Sequence, residues 1–218
     1  MDFEGLKYLV KYPKDFKENL KYPTVIFLHG SGSRGQDFEK LVGNPFFKVE
    51  NALQEKAIVY APLCSEDTWF DVFEKLCRFA KYVTKRKTTD CERLYLIGAS
   101  MGGYATWQMA MTGPELYAGI IPICGGGMYW NAARLKGISI WAFHGQDDQT
   151  VYCEESVKMV ERINSCGGEA KLTLFENCGH NSWDKVYSDN SVMEWLLSCR
   201  RKKQAASKSE YDSPLEFG

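Results

Sequence analysis

Apolar residues recur with two different periods along this chain. Seven short runs are rich in apolar residues, at residues 7–12, 24–28, 57–61, 93–97, 119–124, 138–144 and 171–176. Most are β-branched and nearly continuous, as expected of strands in a parallel sheet covered on both faces. Between them the period lengthens. Over 71–84, Val72, Leu76, Phe79 and Val83 fall on one stripe, the spacing of an amphipathic helix. Further helices are expected over 104–111, 154–166 and 190–198, and Gly167-Gly168 after Cys166 reads as a helix stop. Strand and helix alternate without an internal repeat. The pattern predicts an α/β fold with a mostly parallel central sheet and helices on both faces.

One junction in this pattern carries chemistry. The run Leu94-Tyr95-Leu96-Ile97 ends in Gly98-Ala99-Ser100-Met101-Gly102-Gly103, and a helical run follows. A serine at such a strand-to-helix elbow is held in a strained turn that exposes its hydroxyl. The Met101 N–H lies at the helix N-terminus, where negative charge is stabilised. A nucleophilic serine needs a base and an orienting carboxylate. The chain has three histidines, His29, His144 and His180. His29 and His144 each close an apolar run and read as strand ends. His180 lies late in the chain, in the polar loop Glu176-Asn177-Cys178-Gly179-His180-Asn181-Ser182-Trp183, and the order Ser…Asp…His points to it. The acid lies between them, where Asp147 and Asp148 follow a strand directly. Spacing alone does not choose between these two.

Several blocks together are specific. They include Phe27-Leu28-His29-Gly30-Ser31-Gly32-Ser33-Arg34-Gly35, Thr68-Trp69-Phe70-Asp71, Gly98 to Tyr104, Trp141-Ala142-Phe143-His144-Gly145 and Gly179-His180-Asn181-Ser182-Trp183. Through them, from about Tyr8 to Leu197, the chain resembles the α/β-hydrolase superfamily. Within it the resemblance is to the small esterase and predicted-peptidase group related to polyhydroxyalkanoate depolymerases and dienelactone hydrolases. The resemblance implies the pattern His-Gly-x-x-Asp-x-x-Val, which falls on His144 to Val151 and selects Asp148 over Asp147. It also implies a second oxyanion donor in the glycine-rich loop after Leu28. The Ser31 N–H suits that role beside the Met101 N–H. The family usually has Ala or Gly where this chain has Ser31.

Lids in this fold are commonly inserted after the strand that follows the elbow helix. Here residues 125–137 leave only a short loop, so no lid domain is expected. Met128 and Trp130 in that loop, with Trp69 and Trp183, are expected to wall an open substrate pocket at the C-terminal ends of the strands. Such a cleft suits a soluble ester with a short or an aromatic acyl group. The expected function is a serine carboxylesterase. A peptidase or thioesterase with the same machinery, or a ligand-binding protein that has lost turnover, are the alternatives.

Composition narrows the setting. The 218 residues suit one catalytic domain, expected over 1–199, followed by a polar tail at 200–218. The formal net charge of −1 gives no broad attraction to nucleic acid or an anionic membrane. No run reaches the ~18 apolar residues of a membrane span, and the N-terminus lacks a secretory pattern. The eight cysteines form no C-x-x-C pair and read as free thiols of a reducing, cytoplasmic setting. No cofactor and no metal site is implied, the expected partner is a small-molecule ester, and the oligomeric state is left open.

Overall fold

Eight strands make one sheet in a computed structural model, which describes residues 1–202. They are β1 (Asp2–Phe3), β2 (Leu6–Lys11), β3 (Tyr22–Leu28), β4 (Ile58–Pro62), β5 (Thr89–Ala99), β6 (Gly119–Ile123), β7 (Ser139–Gly145) and β8 (Ala170–Phe175). Their order across the sheet is β1-β2-β4-β3-β5-β6-β7-β8. The β1–β2 and β2–β4 pairs are antiparallel and every later pair is parallel. All seven expected strands form. The two-residue β1 is additional, since so short a segment carries no period.

Alternation explains why the central strands read as unbroken apolar runs. In β3, Ile26 and Leu28 point into one core, while Val25 and Phe27 point into the other. The first core is covered by α4 (Phe73–Thr84), α5 (Met101–Thr112) and α6 (Glu154–Ser165), through Leu76, Phe79, Met109 and Ile163 among others. The second is covered by α1 (Phe38–Val42), α2 (Pro45–Lys48), α3 (Ala52–Lys56), α7 (Trp183–Ser188) and α8 (Asn190–Ser198), through Leu41, Phe46, Leu53, Val186 and Met193. The helix α6 stops as expected. Gly167 adopts φ 82°, and the Gly168 N–H donates back to the Ile163 carbonyl at 3.0 Å.

Four helices were not legible as apolar periods. α1, α2, α3 and α7 span four to six residues each, too few to show a period of 3.6. Asp37, Asn44 and Asn51 cap the first three by accepting backbone N–H bonds from Glu39, Phe46 and Gln54. The loop from Gly125 to Gly137 holds only a 3₁₀ segment, Tyr129–Leu135, so no lid is formed among the described residues. Arg201 docks on β5, its N–H donating to the Glu92 carbonyl at 3.0 Å. The rest of the expected tail, 203–218, lies outside the described residues.

The turn after β3 is fixed by buried polar contacts. His29 donates from Nδ1 to the Gly30 carbonyl at 2.7 Å and accepts the Cys64 N–H on Nε2 at 3.0 Å. One ring nitrogen donates and the other accepts, so the imidazole is neutral. Trp69 is fully buried and donates its indole N–H to the His29 carbonyl at 3.0 Å. The expectation that Trp69 walls the pocket is therefore corrected. Its bulk fills the core beneath the turn, and its one polar group pins that turn.

Two outcomes follow. A Cβ on Gly102 would run into the Leu28 carbonyl, whereas one on Gly32 meets nothing within 4 Å. Gly102→Ala is expected to lose at least about 1–3 kcal/mol in urea denaturation, and Gly32→Ala to lose far less. Equal midpoints for the two variants would contradict the crowding. Burial, partly opposed by the bond to Gly30, lowers the pKa of His29 to about 4. The unfolded chain takes up this proton below ~6.5, and the folded chain resists it until about 4. Stability is complete above that window and declines by about 3 kcal/mol as pH falls through it. Denaturation midpoints measured from pH 7 to 4 should show this decline, and His29→Asn should flatten it.

Candidate active site

Ser100 sits at the turn between β5 and α5 with φ 56° and ψ −119°. This backbone state is costly for a residue with a Cβ. It is held by two bonds. The Ser100 N–H donates to the Ile123 carbonyl at 2.9 Å, and the Ser100 carbonyl accepts the Tyr104 N–H at 3.0 Å. The turn closes because Gly98 and Gly102 lie against one another. A Cβ on Gly98 would strike the Gly102 carbonyl.

Two loops bring a histidine and a carboxylate to this serine. His180 Nε2 accepts from the Ser100 hydroxyl at 2.9 Å, and its Nδ1 donates to Asp148 Oδ2 at 2.7 Å. The loops are stitched together by the Gln146 N–H on the Phe175 carbonyl and the Asp147 N–H on the Cys178 carbonyl, both at 2.9 Å. Gly145 permits this, since a Cβ there would meet the Cys178 and Gly179 carbonyls. The neighbouring carboxylates part ways. Asp147 is exposed, and Asp148 is buried. Burial alone would raise the Asp148 carboxyl. Hydrogen bonds from His180 and from the Val151 and Thr150 N–H groups outweigh it and hold the group below the usual carboxylate range. Asp148 is therefore an anion set against a histidine that needs orienting.

A residue read from sequence only as a strand end joins this network. His144 is fully buried, and its Nε2 lies 2.9 Å from the Val151 carbonyl and 3.3 Å from Asp148 Oδ2. Both neighbours accept, so Nε2 carries the proton. Its Nδ1 lies 2.8 Å from Ser156 Oγ, whose hydroxyl donates to the Gly125 carbonyl at 2.9 Å. Burial lowers its pKa and keeps it neutral. The position in His-Gly-x-x-Asp was the available signal, because it sets this ring one strand end from the acid.

Ser31 opens the 3₁₀ turn Ser31–Ser33, and Met101 is the first residue of α5. First helical residues have N–H groups that the helix leaves unpaired. A cavity of about 470 Å³ borders Ser100 and His180. Trp183 and Tyr187 form one wall, and Lys40, Gly43, Asn44 and Pro45 on and around α1 and α2 form another. Trp183 also sets its ring edge-on to His180, with centroids 5.3 Å apart. Of the other expected wall residues, Met128 lines a separate cavity, and Trp130 is 65 % exposed and lines neither. The 3₁₀ segment carries Trp130 outward, and the wall it was expected to build comes from α1 and α2 instead.

Cys124 is the remaining group near the triad. Its Sγ, an Asp148 oxygen and a His180 nitrogen lie within 4.8 Å of one another. Burial pushes this thiol up to about 12, so it stays protonated, and the other two atoms are committed to hydrogen bonds. That donor set does not suit a metal ion. All eight cysteines are free thiols. No helix among the described residues is long and apolar enough to cross a membrane.

Comparison with known proteins places this geometry. The family model described as phospholipase/carboxylesterase matches residues 71–191, more than half of the chain. The crystal structure of a thermostable esterase is 31% identical, with a TM-score of 0.79, over 90% of this chain and 60% of that one. The chain thus spans about three fifths of that esterase's length. Est1E from Butyrivibrio proteoclasticus is 15% identical, with a TM-score of 0.69, over 90% of this chain and 96% of that one. Dipeptidyl peptidase 4 from Porphyromonas gingivalis shares the fold at 13% identity and a TM-score of 0.68, over 89% of this chain and 33% of that one. No curated protein sequence matches the chain significantly. With an elbow serine at the end of a mostly parallel sheet and a family match across the elbow and both partner loops, the chain belongs to the phospholipase/carboxylesterase family of the α/β-hydrolase superfamily, a family of serine hydrolases.

Proposed function

We propose that this protein is a serine carboxylesterase acting on soluble esters with a short or an aromatic acyl group. The observation that carries this reading is the unbroken line of hydrogen bonds from Ser100 through His180 to Asp148. Ser100 Oγ attacks the ester carbonyl as His180 Nε2 takes its proton. Asp148 holds the Nδ1–H tautomer and stabilises the imidazolium that forms. The Ser31 and Met101 N–H groups hold the oxyanion. His180 then protonates the departing alcohol oxygen, leaving an acyl-serine. Water, deprotonated by the same nitrogen, releases the acid. His144 acts through Asp148. Its N–H faces the oxygen that His180 uses, so it steadies the carboxylate without touching substrate. The likeness to the thermostable esterase, 31% identical over 90% of this chain, supports an ester as the substrate.

Ser100→Ala is expected to lose ~10⁴-fold or more in ester turnover with its fold retained. Hydrolysis near the wild-type rate, or a phosphonate label on another residue, would overturn the assignment. A panel of p-nitrophenyl acetate, a thioester and a peptide amide separates the esterase from its alternatives.

Asp148→Asn should lose ~10³–10⁴-fold in kcat, because the wrong His180 tautomer is then favoured. Asp147→Asn, at an exposed position, should lose little. The reverse ranking would remove Asp148 from the mechanism.

For His144, loss of the buried N–H that bonds the Val151 carbonyl and lies 3.3 Å from the acid predicts a fall in kcat on the order of ten-fold in His144→Leu, with KM held. His144→Gln keeps an N–H donor and should recover most of it. If KM rises instead, or Gln fails like Leu, the side chain does no more than fill space.

A further inference from the structure

Ser100 lies where the two faces of the sheet meet. The cavity beside His180, Trp183 and Tyr187 opens over the face covered by α1, α2 and α7. A second cavity, of about 500 Å³, opens over the opposite face along α5. Phe70, Phe73, Tyr104, Gln108 and Met128 form its walls. The Phe70 and Phe73 rings pack with centroids 6.0 Å apart, yet Phe70 is left 50 % and Met128 37 % exposed. Residues four apart on a helix share a face, so Tyr104 and Gln108 make one stripe along α5. The Tyr104 N–H donates to the Ser100 carbonyl at 3.0 Å, so the groove wall at Tyr104 stands one helical turn from the nucleophile. Among the described residues the Tyr104 hydroxyl has no hydrogen-bond partner, and the Gln108 amide reaches only Thr112, at 3.4 Å.

The chemistry of the proposed mechanism, on which this inference rests, decides which arm of an ester enters which cavity. His180 Nε2 must deliver its proton to the leaving oxygen. The alcohol arm therefore lies on the His180 side, in the first cavity. The acyl arm leaves the carbonyl in the opposite direction, toward Tyr104.

We infer that the groove along α5 is the acyl site, and that it takes an aromatic acyl group joined to the carbonyl by a short spacer. The ring lies between the Phe70–Phe73 pair and the Met128 thioether, both of which favour an aromatic neighbour. The Tyr104 hydroxyl and the Gln108 amide face a polar substituent on that ring. An alkyl acyl chain gains burial there but leaves both polar groups unmatched.

The test compares kcat/KM for methyl 4-hydroxycinnamate with that for methyl butyrate, two esters of the same alcohol. The wild type should prefer the aromatic ester. The double variant Phe70→Ala/Met128→Ala should cut the ratio about ten-fold or more, and Trp130→Ala, outside both cavities, should leave the ratio as it is. An unchanged ratio in the double variant, or an equal fall in Trp130→Ala, would overturn the proposal. Binding is read without turnover in Ser100→Ala, from the ¹³C-methyl signal of Met128 as methyl 4-hydroxycinnamate is added. A ring-current shift supports the groove, and a signal that stays still overturns it. Should the wild type hydrolyse neither ester, the catalytic reading fails, and the Met128 signal still decides the acyl site.

Discussion

The site depends on how closely the start of α5 approaches the ends of β3 and β6. Gly102 rests against the Leu28 carbonyl, and Gly103 against the Ile123 carbonyl and Gly125. No side chain fits at these contacts. Because the backbones touch, the turn between β5 and α5 has no room to relax, and Ser100 keeps a positive φ. The strain is offset by the fully buried sheet on either side, where Leu96 and Ile97 feed two different cores. A weaker sheet would let the turn open, and the hydroxyl would leave the line of the His180 ring.

Electrostatics follows from that packing. Asp148 is a buried ion, faced by N–H groups from His180, His144, Thr150 and Val151. Buried charge is tolerated only where donors replace the lost hydration. The protein supplies them as backbone amides of a turn and as rings that stay neutral. His29 repeats the device on the other side of the serine, where a neutral ring ties two loops without adding charge.

Much of this was legible in the residues, and for physical reasons. Strands buried on two faces write continuous apolar runs, so all the parallel strands were visible. α8 was visible because nine residues with one covered face show a period. α5, though apolar nearly all round, was marked by the elbow before it. Ser100 and His180 were legible because few side chains can serve a serine and only one histidine lay in the right order, whereas Asp148 was chosen over Asp147 by the resemblance and not by spacing. Of the pocket wall only Trp183 was visible. Trp69, Met128 and Trp130 looked equivalent as aromatic or apolar loop residues, and nothing local distinguishes an indole that fills a core from one turned to solvent. The rest came from α1 and α2, which at five and four residues are too short to show an apolar period. His144 escaped notice for a different reason. A histidine closing a strand and one steadying an acid have the same sequence context, and they separate only when the loop folds back.

The wall built from α1 and α2 has a consequence for how this scaffold can diversify. Ser100, Asp148 and His180 stand on the ends of strands or on the loops leaving them, whereas Lys40 to Pro45 belong to a segment hung between β3 and β4. That segment is fastened at a few points. Asn44 reaches Ser33, Asn51 reaches the Tyr187 carbonyl, and Asn190 receives the Ala52 N–H. Residues between the fasteners can be lengthened, shortened or exchanged without moving a strand. Selection is thus free to reshape the cavity beside Ser100 while Ser100, Asp148 and His180 keep their places, which separates the inheritance of a site from the inheritance of the space around it.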